Sequence, residues 1–214
     1  MGIEIRDANR EDAEFIAWVM LTAFRSHLER GLWDLVVGGD DREVLHFLEH
    51  LASTKRPHWS HYSIFRIAEV DGERAAALGG YLDRELGTHA LAESMPEVNR
   101  AVGRSEADIA AGVERAGSIA LVGTKHGPNA WVIENVATRP EFRRRGLVDR
   151  LIQEMLLRGR SREATTAEIG VLIGNTPAQL AYEKNGFKVV DEKRHPAFEA
   201  AYCCPGIRYL TQDL

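Results

Sequence analysis

The sequence predicts an α/β fold in which a mixed antiparallel and parallel sheet is flanked by helices, and two patterns carry that prediction. Runs 63–70 and 75–82 read as strands joined across Asp71-Gly72, a residue pair suited to a tight hairpin, so an antiparallel pair lies in the N-terminal half. From residue 131 onward, strand-like and helix-like segments alternate, the pattern of a partly parallel sheet covered by helices. A length of 214 residues suits one domain spanning 1–214 with an elaborated segment.

The elements follow in chain order. Ile3 and Ile5 alternate with polar residues in a short strand. Arg10-Glu11-Asp12 then places acids in the first turn of a helix that carries Phe15, Ile16, Val19, Met20 and Phe24. A second helix has Val44, Leu45, Phe47, Leu48 and Leu51 as its stripe and stops at Lys55-Arg56-Pro57. After the hairpin, residues 84–128 turn to Ala-, Glu- and Gly-containing helical stretches without a strong strand, which reads as an inserted helical segment able to cover a site. A strand at 131–138, a strongly periodic helix at 147–157, a strand at 167–173 and a helix at 176–184 come next. Strands near 187–190 and 207–211, with a loop at 196–205 between them, complete the chain.

Composition narrows the function. A hydrophobic fraction of 44% with 28% charged residues fits a globular protein, and the formal net charge of -5 argues against a general nucleic-acid binder, which needs excess Lys and Arg. Any anion site must therefore be local. The two cysteines, Cys203 and Cys204, are adjacent and form no disulfide framework, which fits a reducing, cytoplasmic setting. No run approaches the roughly 20 apolar residues of a membrane span. The histidines, among them His46, His50, His58 and His61, show no H-E-x-x-H spacing and have no cysteine cluster beside them, so no metal is expected.

A local anion site is legible after the strand at 131–138, where the chain runs through Arg139-Pro140-Glu141-Phe142 into Arg143-Arg144-Arg145-Gly146-Leu147-Val148. The stripe Leu147, Val148, Leu151, Ile152, Met155 and Leu156 fixes where the next helix begins and sets Gly146 at its N-terminus. There the first backbone N–H groups lack intrahelical partners and the dipole is positive, while Gly keeps the approach open for a phosphate. Arg139, Arg143, Arg144, Arg145 and Arg150 add positive charge, a combination suited to a diphosphate. Neither G-x-x-x-x-G-K-[ST] nor a strand-following G-x-G-x-x-G occurs, which removes support from ATP and NAD. The alternative is an Arg-rich solvated loop before an ordinary helix.

A second motif begins at Gly174-Asn175-Thr176-Pro177-Ala178, with a helix start at Asn175 and Pro in the first turn, and ends at Tyr182-Glu183-Lys184-Asn185-Gly186-Phe187 with Gly as a stop. Together the two motifs resemble the GNAT superfamily of acetyl-CoA-dependent N-acyltransferases. Arg143 and Gly146 match its R/Q-x-x-G-x-G/A pattern, and Asn175, Ala178, Tyr182, Gly186 and Phe187 match its downstream N-x-x-A-x-x-x-Y-x-x-x-G-F segment. Val148 departs from the family's usual Gly or Ala, and its branched side chain would crowd a pyrophosphate unless it points into the core.

The resemblance implies a GNAT-like sheet, acetyl-CoA as the acyl donor, and transfer to a primary amine of a small molecule or peptide. It implies cofactor contacts from Arg143, Arg144, Arg145, Gly146, Leu147 and Val148, and from backbone near Val136, where family strands splay. It implies Glu134 as the carboxylate that takes the amine proton, with a strand-end ion pair to Arg as the alternative. It implies Tyr182 as the donor to the departing thiolate, against a buried structural tyrosine. Asn175 either caps its helix alone or also contacts the cofactor. Trp33, Trp59, Trp131 and the 84–128 segment are candidate walls of the acceptor pocket. A catalytically silent acyl-CoA-binding or sensor module is the rival reading, suggested by Val148. The oligomeric state, monomer or homodimer, stays open.

Overall fold

The computed structural model describes residues 2–214. Among the described residues the strands are β1 (Ile3–Asp7), β2 (Phe65–Val70), β3 (Glu73–Leu82), β4 (Ala130–Thr138), β5 (Thr166–Leu172), β6 (Lys188–Arg194) and β7 (Gly206–Asp213). They form one sheet in the order β1-β2-β3-β4-β5-β7-β6. β4 and β5 are parallel and every other neighbouring pair is antiparallel. At the hairpin between β2 and β3, Asp71 and Gly72 both take positive φ, 50° and 86°, which is what a two-residue turn matched to strand twist demands.

The helices are α1 (Ala13–Arg25), α2 (Leu32–Val37), α3 (Asp41–Ala52), α4 (Asp83–Leu86), α5 (Thr88–Ala101), α6 (Glu106–Ala116), α7 (Leu147–Ser161), α8 (Thr176–Lys184) and α9 (Pro196–Tyr202). One face of the sheet buries Phe15, Ile16, Val19 and Met20 of α1 with Phe47 and Leu48 of α3 and Val132 of β4. The opposite face buries Leu147, Leu151, Ile152 and Met155 of α7 with Ile133 and Ile169. The alternation of Val132 and Ile133 between two cores is the period of a strand covered on both sides. α3 begins at a reciprocal cap, with Glu43 N donating to Asp40 Oδ1 and Asp40 N donating to Glu43 Oε2, both at 2.9 Å.

Several expectations change. Arg10–Asp12 is a 3-10 turn capped by Asn9, and Asp12 is the N-cap of α1 without a side-chain hydrogen bond to that helix. Its carboxylate is fully buried and takes Arg6 at 2.7 Å and Arg74 at 2.6 Å, tying β1 to the start of β3. Residues 196–205, expected as a loop, hold α9, because Pro196 sits in the first turn where its missing N–H costs nothing and His195 caps Ala197 N. α2 was not anticipated; six residues are too few to show a period. Between β3 and β4 the chain is helical, as the composition of 84–128 suggests. Trp131 does not face the same side as Trp33; it packs with the α7 core beside Gly159, away from the other two tryptophans.

The buried Asp12 makes acid stability testable. Against burial, which raises its pKa, Arg6, the Asn9 amide and Arg74 lower it from 3.8 to about 2. Because the folded value is the lower one, the carboxylate's contribution is present above about pH 4 and is lost as pH falls toward 2. Asp12→Ala is expected to cost about 2 kcal/mol at pH 7 and to flatten the acid limb of a Tm-versus-pH profile. An unchanged acid limb would show that the arginines contribute nothing net.

Candidate active site

The site is set by an interruption in the sheet. β4 and β5 pair from Ala130↔Thr166 to Ile133↔Ile169 and then part, although β4 continues to Thr138 and β5 to Leu172. On the other side of β4, the β3 register steps from Ala77↔Ala137 to Gly79↔Glu134, so β4 carries one extra residue. Asn135 sits in that bulge at φ 58°, and both its amide atoms are buried without a hydrogen-bond partner. The divergence leaves the β5-facing backbone of β4 from Glu134 onward without a neighbouring strand. A cleft of about 1310 Å³ opens there. It runs from the 143–149 loop and α8 on one side to α1, α2, α5 and α6 on the other.

The residues 143–148 meet this cleft as the helix pattern implied. Gly146 is the N-cap of α7 at φ 72°, and Arg144 is also left-handed at φ 61°. Left-handed residues with Arg145 at negative φ between them bring successive N–H groups toward one side, a concavity suited to anions. A Cβ on Gly146 would meet nothing within 4 Å, so the space above it is open. The amides that open α7 have no intrahelical acceptor and lie beside this space. Leu147 is buried, and Val148 is half-buried against the same core, so its branches do not fill the loop. Asp149, the acid of the first turn, is paired with Lys184 at 2.5 Å and accepts a hydrogen bond from Asn185 Nδ2 at 2.8 Å. Arg143 Nε donates to Thr138 O at 3.4 Å, and Arg145 donates to Glu141 O at 3.1 Å while lying over the Phe142 ring.

Glu134 and Tyr182 both line the cleft. Among the described residues no salt bridge includes Glu134, so the ion pair with an arginine is not formed. Its carboxyl meets the Tyr81 hydroxyl, and Oε2 is buried without a partner. Burial raises its pKa from 4.5 to about 7, against the opposing pull of His126 and the Tyr81 hydrogen bond. His126 Nδ1 lies 2.6 Å from Glu168 Oε2, and Gly127 N donates to Glu168 Oε1 at 3.1 Å, which pins the loop before β4 onto β5. Against burial, which lowers it, Glu168 and then Glu134 raise the pKa of His126.

Tyr182 is 6% exposed, packs edge-on to Phe187 at 6.5 Å, and has its pKa raised by burial. Among the described residues no hydrogen bond uses its hydroxyl. Asn175 has both ends of its amide engaged: Oδ1 accepts from Ala178 N at 3.2 Å and Nδ2 donates to Ser26 Oγ at 2.6 Å. It caps α8 and anchors it to the end of α1. Val136 follows the bulge, half-buried against the α7 core. Among the described residues no group of three or more His, Cys, Asp and Glu could hold a metal ion. No helix there is long and apolar enough to cross a membrane.

Sequence reasoning missed Tyr81, Asn135 and the His126–Glu168 pair. Tyr81 reaches the site because β3 sets it opposite Val132, and Glu168 because β5 sets it beside the same residue. Neither register can be read without the sheet.

The sequence profile of the acetyltransferase (GNAT) family matches residues 39–187, well over half of the chain. The chain belongs to the GNAT acetyltransferase family. It is accordingly an acyltransferase of the acyl-CoA-dependent N-acetyltransferase class. Solved structures agree in fold with this GNAT protein. One described as an acetyltransferase aligns with a TM-score of 0.69 at 17% identity, over 98% of each chain. The N-acetyltransferase from Staphylococcus aureus Mu50 aligns with a TM-score of 0.67 at 21% identity, over 98% of this chain and 100% of that one. The PaiA N-acetyltransferase from Thermoplasma acidophilum, solved in complex with coenzyme A, gives 0.53 at 13% identity over 100% of both chains. No curated protein sequence matches the chain.

Proposed function

We propose that this GNAT protein transfers the acetyl group of acetyl-CoA to a primary amine of a small molecule or peptide, with Glu134 as the base and Tyr182 as the acid. The observation that carries the reading is the cleft itself: the free amides that open α7, the unpaired edge of β4, Glu134 and the unengaged Tyr182 hydroxyl all border one cavity.

In this reading the backbone amides of Gly146, Leu147 and Val148, with Arg143, Arg144 and Arg145, hold the pyrophosphate. Val136 and its neighbours on β4 hydrogen-bond the pantetheine arm through the strand edge that β5 leaves free, and backbone N–H there polarises the thioester carbonyl. Asn175 contributes by fixing the start of α8. An acceptor amine with a pKa near 10.4 arrives mostly protonated, and a carboxylate of pKa about 7 can take its proton near neutral pH. The neutral nitrogen then forms a C–N bond to the acetyl carbon as the C–S bond breaks, Tyr182 gives its proton to the leaving thiolate, and the proton that the nitrogen sheds in becoming an amide restores the tyrosine.

The test is a thiol-release assay with acetyl-CoA and an amine panel. Saturable, amine-dependent release is expected; acetyl-CoA binding without turnover on any amine would favour a silent binding module instead. Gly146→Ala is expected to raise the KM for acetyl-CoA several-fold, because a Cβ at φ 72° is strained by about 1 kcal/mol and projects into the open ground where the phosphates sit. An unchanged KM would remove the diphosphate from that loop.

A further inference from the structure

Beyond Glu134 the cleft continues as a lobe between β4 and helices α1, α2, α5 and α6, and two kinds of wall meet there. The first is apolar. Phe24, Trp33 and Trp59 form a ring cluster with centroids 5.7–5.8 Å apart, and Leu91, Met95 and Ile109 from the segment between β3 and β4 extend it. The second is acidic. Asp83 and Glu134 line the lobe and repel one another, with Glu168 held behind His126.

The basic groups on this side are engaged, His126 by Glu168 at 2.6 Å. Arg104 reaches the lining, but its guanidinium donates to Val36 O at 2.7 Å, Asp108 O at 2.9 Å and Asn99 Oδ1 at 3.3 Å, and it lies over the Phe47 ring. The other lining acid, Asp149, lies on the α7 side and is tied to Lys184. An unused donor completes the picture. Trp33 is 2% exposed, lines the lobe, and its Nε1 has no acceptor among the described residues.

We propose that this lobe binds the acceptor as a compact primary amine with one cationic head, at Glu134 and Asp83, and an aromatic or branched apolar body free of carboxylate, against the Phe24–Trp33–Trp59 wall. The assignment rests on the acetyl-transfer reading and sharpens it from any amine to one class. A carboxylate on the acceptor meets two acids, and the lining cations His126 and Arg104 are already engaged, by Glu168 and by the Val36, Asp108 and Asn99 oxygens. A second ammonium, as in a linear polyamine, falls among rings and aliphatic side chains without a carboxylate to pair with. Helices α5 and α6 and the turn Gly117–Leu121 wall the lobe, which favours a compact body over an extended chain. The Trp33 N–H suits a hydroxyl or ether oxygen on that body.

The experiment is calorimetric titration of the wild-type chain, alone and saturated with coenzyme A, using 2-phenylethylamine, L-phenylalanine, spermidine and a tetrapeptide. 2-Phenylethylamine is expected to bind about tenfold or more tightly than each of the others, and Asp83→Asn to weaken it about threefold or more by removing half of the acidic pair. Equal or tighter binding of L-phenylalanine, spermidine or the peptide, or no binding of 2-phenylethylamine, overturns the assignment whether or not Asp83→Asn folds. Thiol release separates the two levels. A bound 2-phenylethylamine that is never acetylated sinks the catalytic reading and leaves the lobe, whereas a peptide acetylated without 2-phenylethylamine binding does the reverse.

Discussion

Glu134→Gln is expected to lower kcat by roughly 10²-fold while leaving the KM for acetyl-CoA unchanged, because the amide keeps the shape of the carboxyl and removes its ability to take a proton. The pH profile gives the sharper result. With its pKa raised to about 7 by burial, a Glu134 base is expected to make wild-type activity rise through neutral pH, and the glutamine variant to lose that limb. His126 pulls the other way, since its positive charge favours the carboxylate; His126→Gln therefore moves the limb upward in pH. Stability has the opposite sign to activity. The folded pKa lies above the ordinary 4.5, so the protonated carboxyl stabilises the fold below about pH 4.5 and that contribution is lost as pH rises through about 7. Glu134→Gln is thus expected to melt at a higher temperature than wild type at pH 8 while turning over far more slowly. A variant that lost activity and stability together would mark Glu134 as a structural residue.

Tyr182→Phe is expected to lower kcat by roughly 10²-fold, with little change in melting temperature. The ring supplies the packing against Phe187, which Phe retains, and among the described residues the hydroxyl makes no hydrogen bond that the fold would miss. Leaving-group dependence separates acid catalysis from steric support: an acyl donor with a more acidic thiol needs less protonation and should recover part of the loss. Unaltered kcat in Tyr182→Phe would remove the tyrosine from the chemistry.

The helix starts at Gly146 and Asn175 were legible because they are local in the chain. The apolar stripe from Leu147 to Leu156 fixes a helix start, a helix start fixes free amides, and Gly146 and Asn175 occupy the caps that their residue types suit. Their spacing to Tyr182, Gly186 and Phe187 is likewise a matter of turns along one helix. α9 was misread for a local reason as well, since Pro196 marks a helix start as readily as a loop. Tyr81, Asn135, His126 and Glu168 were not legible, because each enters the site through a strand register, a bulge or a contact across 42 residues.

The sequence by itself therefore determined the hairpin, the helices other than α2 and α9, the glycine-capped start of α7 and each of the two family motifs, all of which depend on residues within a few turns of one another. Tertiary structure alone decided where β4 and β5 part, that Glu134 pairs with no arginine among the described residues and has its pKa raised by burial, and which tryptophans face the cleft. Those outcomes depend on which strands become neighbours and on what solvent the packed layers exclude, and neither quantity exists until distant segments of the chain have met.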